Sequence, residues 1–106
     1  MYMLRRVYKA KYRQGKLVAS LVQKQQKIYE SAGRSKGTVY FNAGTVPGES
    51  DTVVLEWTQD NLGSPYMSGG SIPREALQVG GQVRDHIESQ EIEFWELMTS
   101  EKMDDV

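Results

Sequence analysis

Apolar and polar residues alternate imperfectly over residues 3–13, with Tyr2, Leu4, Arg6, Tyr8, Ala10 and Tyr12 on one side of an extended chain and Met3, Arg5, Val7, Lys9 and Lys11 on the other. Period-two spacing of this kind predicts a strand, although neither face is cleanly apolar. Gly15 breaks the pattern. Leu17, Val18, Leu21, Val22, Ile28, Tyr29 and Ala32 then recur at helical spacing, opposite Lys16, Gln23, Lys24, Lys27 and Glu30. That predicts an amphipathic helix stopping at Ala32-Gly33, where glycine takes up the left-handed conformation that closes a helix. Two β-rich runs follow, residues 38–46 and 52–58, around a Pro47-Gly48 turn signal, and they read as a hairpin. Beyond a loop of Gly, Ser, Asn and Pro, residues 71–89 read as a second helix, capped by Ser71, with Pro73 early and Ala76, Gly80, Val83 and Ile87 on one stripe. Its Gly80-Gly81 pair costs roughly 1 kcal/mol per glycine relative to alanine, which predicts close packing there or a kink. Residues 91–98 form a last strand, with Ile92, Phe94 and Met98 against Trp95 and Leu97, and SEKMDDV reads as a frayed acidic tail.

The order strand, helix, strand, strand, helix, strand is the split βαβ arrangement of ferredoxin-like domains. The expected architecture is therefore α+β, with a four-stranded antiparallel sheet and the first strand between the third and fourth. One domain over residues 1–99 and a tail over 100–106 follow. The length of 106 residues suits a single domain with a modest core.

Charge changes the picture more than composition does. The 39% hydrophobic and 25% charged residues are ordinary for a globular chain. Residues 1–36, however, hold ten Lys or Arg and one acid, whereas residues 37–106 hold three and thirteen, so a net charge of −1 hides a basic first third. A basic arm for nucleic acid would give this tally, and so would a basic strand paired with acidic ones. The topology favours the second: Arg5, Arg6, Lys9 and Lys11 would lie beside strands bearing Glu56, Glu91, Glu93 and Glu96. No nucleic-acid partner is expected. No apolar run approaches the roughly 18 residues of a membrane helix, and the N-terminus lacks the apolar stretch of a signal peptide. The expected setting is cytoplasmic, without membrane contact. With no cysteine and one histidine, no metal site is expected.

The strands carry large apolar residues on both faces, whereas two helices cover only one face of a sheet. An uncovered apolar face usually signals a partner. Here Arg6-Val7-Tyr8 in the first strand, Gly15-Lys16 opening the first helix, the run VVLEW and the final EFWEL together resemble the dimeric α+β barrel superfamily. The relatives include antibiotic-biosynthesis monooxygenases and NIPSNAP-like proteins. The resemblance implies a homodimer whose two sheets face each other and enclose cavities. Those cavities would hold a small aromatic or hydrophobic molecule, with cofactor-independent oxygenation as the enzymatic form. Tyr40, Asn42, Glu56 and Trp95 would line such a cavity, joined by Arg6 and Tyr8 if the even face of the first strand points inward. The contrasting reading is a non-catalytic structural or regulatory dimer with a filled barrel, in which the same aromatics are interface core and Glu56 pairs with Arg5 or Arg6. Haem-degrading members use a helix histidine with a tryptophan and an asparagine. His86 is thus a secondary candidate beside Trp57 and Asn42, but their spacing does not reproduce that pattern, and no cofactor is expected.

Two other classes share the fold. Lys36-Gly37-Thr38-Val39-Tyr40-Phe41 echoes the aromatic motif of RNA-recognition domains, but it precedes the second strand rather than forming the third, and a pI near 5.8 argues against phosphate binding. Acylphosphatase-like domains need a glycine-rich phosphate loop after the first strand. Arg13-Gln14-Gly15-Lys16 is too poor in glycine for that cradle.

Overall fold

A computed structural model describes residues 1–62 and 72–106. The elements run β1 (Tyr2–Ala10), α1 (Gly15–Ser31), β2 (Gly37–Asn42), β3 (Thr52–Gln59), α2 (Arg74–Asp85), β4 (Ile87–Glu96) and a short 3-10 turn over Ser100–Lys102. The four strands form one antiparallel sheet in the order β2-β3-β1-β4, so β1 lies between β3 and β4 as the element order predicts. This is the ferredoxin-like α+β fold. No helix among the described residues is long and apolar enough to cross a membrane.

The even positions of β1 turn toward the helices. Leu4, Tyr8 and Ala10 are buried there, and Tyr8, Ala10, Val53 and Leu55 from the sheet form one cluster with Val18, Ala19 and Val22 of α1 and Val83 of α2. The odd positions, Met3, Arg5, Val7 and Lys9, face the side of the sheet that carries no helix. The molecule is 19 Å across its thinnest direction, the depth of about two packed layers.

Several elements differ from the sequence reading, each for a local reason. The buried stripe of α1 is Gly15, Val18, Ala19, Val22 and Gln26, whereas Leu17 is exposed. Gln26 is tolerated inside because its amide donates to Glu30 and to the Ser35 carbonyl. β2 stops at Asn42, short of residue 46. The Asn42 side chain accepts from the Gly44 N–H and donates to the carbonyls of Val46 and Pro47, and Gly44 and Gly48 both have positive φ, so this stretch curls back instead of extending. α2 is shorter than predicted, and its C-terminal residues are claimed by the sheet. The Lys11 N–H donates to the His86 carbonyl and Ile87 pairs with Ala10, so β4 starts at Ile87 and ends at Glu96. The cap predicted at Ser71 lies outside the described residues; α2 begins right after an extended Pro73. The tail is pinned at its start, where Lys102 donates to the Leu97 carbonyl and pairs with Glu96 at 3.0 Å.

Candidate functional site

Alternation along β1 sends its adjacent arginines to opposite faces of the sheet. Arg5, on the open face, is opposite Glu56 on β3 and Glu93 on β4. Its guanidinium donates through Nε and Nη2 to Glu56 Oε1 at 3.0 and 2.6 Å, and Glu93 lies 3.7 Å away. These contacts hold the Arg5 pKa above its ordinary value, the Glu56 hydrogen bond being the largest cause. Tyr40, Trp95 and Leu97 share this face and stand about half exposed around the ion pairs, with the Trp95 indole N–H donating to Glu93. Lys9, at the far end of the same face, pairs with Glu49 of the β2–β3 loop at 3.2 Å.

Arg6 faces the helices. Its cross-strand neighbours are Leu55 and Ile92, both apolar, and its Nη1 donates to the neutral Gln90 side chain at 3.2 Å. Burial pushes the Tyr8 pKa up, and Arg6 beside it acts in the opposite direction.

Arg6 and Tyr8 form the floor of a cleft of about 310 Å³ between sheet and α1. β3 adds Leu55, Trp57 and Gln59 to the floor, and the Trp57 indole is fixed by donating to Gln59 Oε1 at 2.7 Å. The wall comes from the last turns of α1, Gln25, Gln26 and Tyr29, and from Arg34 and Ser35 just beyond. The end of α1 explains how Arg34 reaches this place. Gly33, with φ 98°, donates its N–H to the Glu30 carbonyl and Arg34 donates to that of Tyr29, the paired bonds of a Schellman motif. That motif folds the chain back over the last turn, and the Arg34 guanidinium comes to lie 4.1 Å from the centre of the Tyr29 ring. Ser35 then hydrogen-bonds the Thr58 carbonyl, tying the return to β3. Glu30 secures the start of β2 by accepting from the Gly37 N–H and from Gln26, contacts that hold its carboxyl below the usual range.

The predicted site residues therefore divide between two places. Arg6 and Tyr8 line the cleft on the helix side; Tyr40, Glu56 and Trp95 stand on the open face, and Asn42 shapes the turn after β2. His86 caps α2, where its Nδ1 lies 2.7 Å from Gln14 Oε1, and it is not among the residues lining the cleft. Tyr29 and Arg34 of the cleft were not singled out from the sequence as site residues. The signal for them was the Ala32-Gly33 helix stop, because a Schellman ending brings the residue after glycine over the last turn.

Solved structures share this fold. An uncharacterized NIPSNAP domain protein from Burkholderia xenovorans superposes with a TM-score of 0.66 at 15% identity, over 99% of this chain and 100% of that one. A NIPSNAP family protein from Agrobacterium tumefaciens does so with a TM-score of 0.67 at 16% identity, over 93% and 86%. An antibiotic biosynthesis monooxygenase gives a TM-score of 0.68 at 7% identity, over 93% and 100%. No protein-family model matches the chain, and no curated protein matches it by sequence.

Proposed function

We propose that this ferredoxin-like chain forms a homodimer through the open face of its sheet and binds a small aromatic molecule in the cleft between sheet and α1. The observation that carries the binding reading is the cleft itself. Its volume of about 310 Å³ lies at the lower end of the range of small-molecule sites, and its lining combines aromatic rings with the Tyr8 hydroxyl and two guanidinium groups. The open face fits the interface role better than the cavity role expected from the sequence. Arg5, Glu56 and Glu93 are already engaged with one another there, which favours a packed junction between two sheets. One structural neighbour is named a monooxygenase, and cofactor-independent oxygenation is the catalytic form that binding in this cleft would take.

The two tryptophans make the reading testable, because Trp57 lies on the helix face and Trp95 on the open face. Titration with 2-naphthamide, followed through the two indole N–H resonances, should shift that of Trp57 saturably with Kd below about 1 mM, in line with the affinity per atom of small ligands, and leave that of Trp95 in place. No saturable shift, or equal shifts at both, would sink the cleft as a binding site.

A further inference from the structure

The pairing register singles out Arg6. Both cross-strand neighbours of Arg5 are glutamates; both neighbours of Arg6 are apolar, Leu55 and Ile92. Among the described residues Arg6 has no ion-pair partner, and its side-chain hydrogen bond goes to the neutral Gln90. Segment 63–71, GSPYMSGGS, contains no Asp or Glu and so holds no counter-ion for it. Arg34, the second cation of the cleft, is likewise without an ion-pair partner among the described residues and rests on the Tyr29 ring. Glu30 is the acid bonded to a lining residue; its Oε2 accepts from the Gly37 N–H and Gln26, and it forms no ion pair with Arg6 or Arg34. The lining thus holds two guanidinium groups and no carboxylate.

Arg6 is half-buried between apolar strand neighbours while its head group bonds a neutral amide at the exposed side of the cleft, so it keeps donors for an anion. In a chain that pairs the preceding arginine twice, the missing partner points to a ligand. We propose that the molecule bound in the cleft is an aromatic carboxylate, its ring against Trp57 and Tyr29 and its carboxylate on the Arg6 guanidinium. The inference rests on the cleft being a binding site and adds the charge of what it takes. A guanidinium presents two parallel donors that match a carboxylate, and Tyr8 in the same lining has an O–H to donate. Arg34 sits on the wall, where it adds to the attraction for an anion entering the cleft.

The test compares 2-naphthoate with its neutral isostere 2-naphthamide by calorimetry at low salt, on the full chain. Wild type should bind the carboxylate about tenfold or more tightly than the amide, the usual gain of a charge-assisted pair over a neutral one. Arg6→Gln should bring the carboxylate down to the affinity of the amide, with an unchanged circular dichroism spectrum reporting that the variant is folded. Arg6→Lys should keep part of the preference, since it retains the charge but not the fork. Arg84→Gln, on α2 outside the cleft, should keep all of it. Equal affinity of wild type for both probes overturns the charge assignment and leaves the binding site standing; failure to bind either probe overturns both. Should Arg6→Gln not fold, the wild-type preference and its partial retention in Arg6→Lys decide, and loss of both probes in equal measure in either Arg6 variant would assign Arg6 a structural role and overturn the proposal.

Discussion

Asp51 shows how much one side chain can hold. It lies at the mouth of β3, 8% exposed, with φ of 56°, a conformation that asparagine and aspartate tolerate better than most residues. Its two carboxylate oxygens accept from the N–H groups of Gly15 and Arg13, each at 3.2 Å, so a residue 36 positions away caps the N-terminus of α1. Gly15 is required opposite it, because a Cβ there would stand 2.9 Å from the Asp51 Cα. Asp51→Ala removes a charged acceptor from two donors and places alanine at positive φ, which together should lower stability by about 2–4 kcal/mol in urea unfolding. Asp51→Asn, which keeps one acceptor and the backbone preference, should lose clearly less; equal losses would mean that the carboxylate does not act as the cap. The sequence offered no local sign of this contact. Capping patterns are recognised within a few residues of a helix start, and here the acceptor comes from the turn before β3. Arg5 was legible, since alternation and strand order put glutamates on both sides of it. Arg6 was not, because the first strand has mixed residues on both faces and its phase could not be read without the helices in place.

At the scale of elements, periodicity located the four strands and two helices of the described residues but misplaced ends where a long-range pairing or a side-chain turn decided them. His86 and Ile87 continue the helical spacing of α2 in sequence, yet the N–H of Lys11 and the pairing of Ala10 draw them into the sheet. Residues 43–46 have strand-like composition, but the Asn42 side chain turns them. The Gly80-Gly81 pair has a clearer explanation, and its two members differ. A Cβ on Gly80 would come within 2.9 Å of the Gln25 amide, which is itself bound to the Ala76 carbonyl, so Gly80 is where α2 approaches α1. Gly81 has nothing within 4 Å of a Cβ. Gly81→Ala should therefore raise stability by about 0.5–1 kcal/mol, the ordinary gain of helix propensity and lost chain entropy. Gly80→Ala should gain less or lose, because Gln25 must give up its carbonyl. Thermal denaturation of the two variants side by side checks the difference, and a larger gain at Gly80 would show that the helices are not in close contact there.

For the whole molecule, the decisive feature is a sheet covered on one side. Its radius of gyration is 15.5 Å against about 13 Å for a compact chain of this length, as befits a thin two-layer slab. On the bare side Tyr40 and Trp95 are 55% and 53% exposed, and Met3, Val7 and Val54 stand half-buried between them. Completing the burial of such half-exposed side chains contributes about half of the roughly 1.5–3 kcal/mol of full burial each, and a two-fold axis buries every one of them twice. The charges at the centre do not oppose this, since Arg5 would enter the interface already paired with Glu56, and burying a satisfied pair costs less than burying either group alone. Sedimentation equilibrium at micromolar concentration should thus give twice the 12.0 kDa of the single chain. Trp95→Glu places a fourth charge beside Arg5, Glu56 and Glu93 and removes an apolar contact from both protomers at once. It should raise the dissociation constant at least about a hundredfold, whereas Trp95→Phe should remain dimeric. Because Trp95 is half exposed in the protomer and lies across the sheet from the buried cluster, the glutamate variant should keep the circular dichroism of the folded chain. A wild-type protein that sediments as a monomer would remove the open face as an interface, and the cleft, on the other side of the sheet, would stand or fall by its own titration.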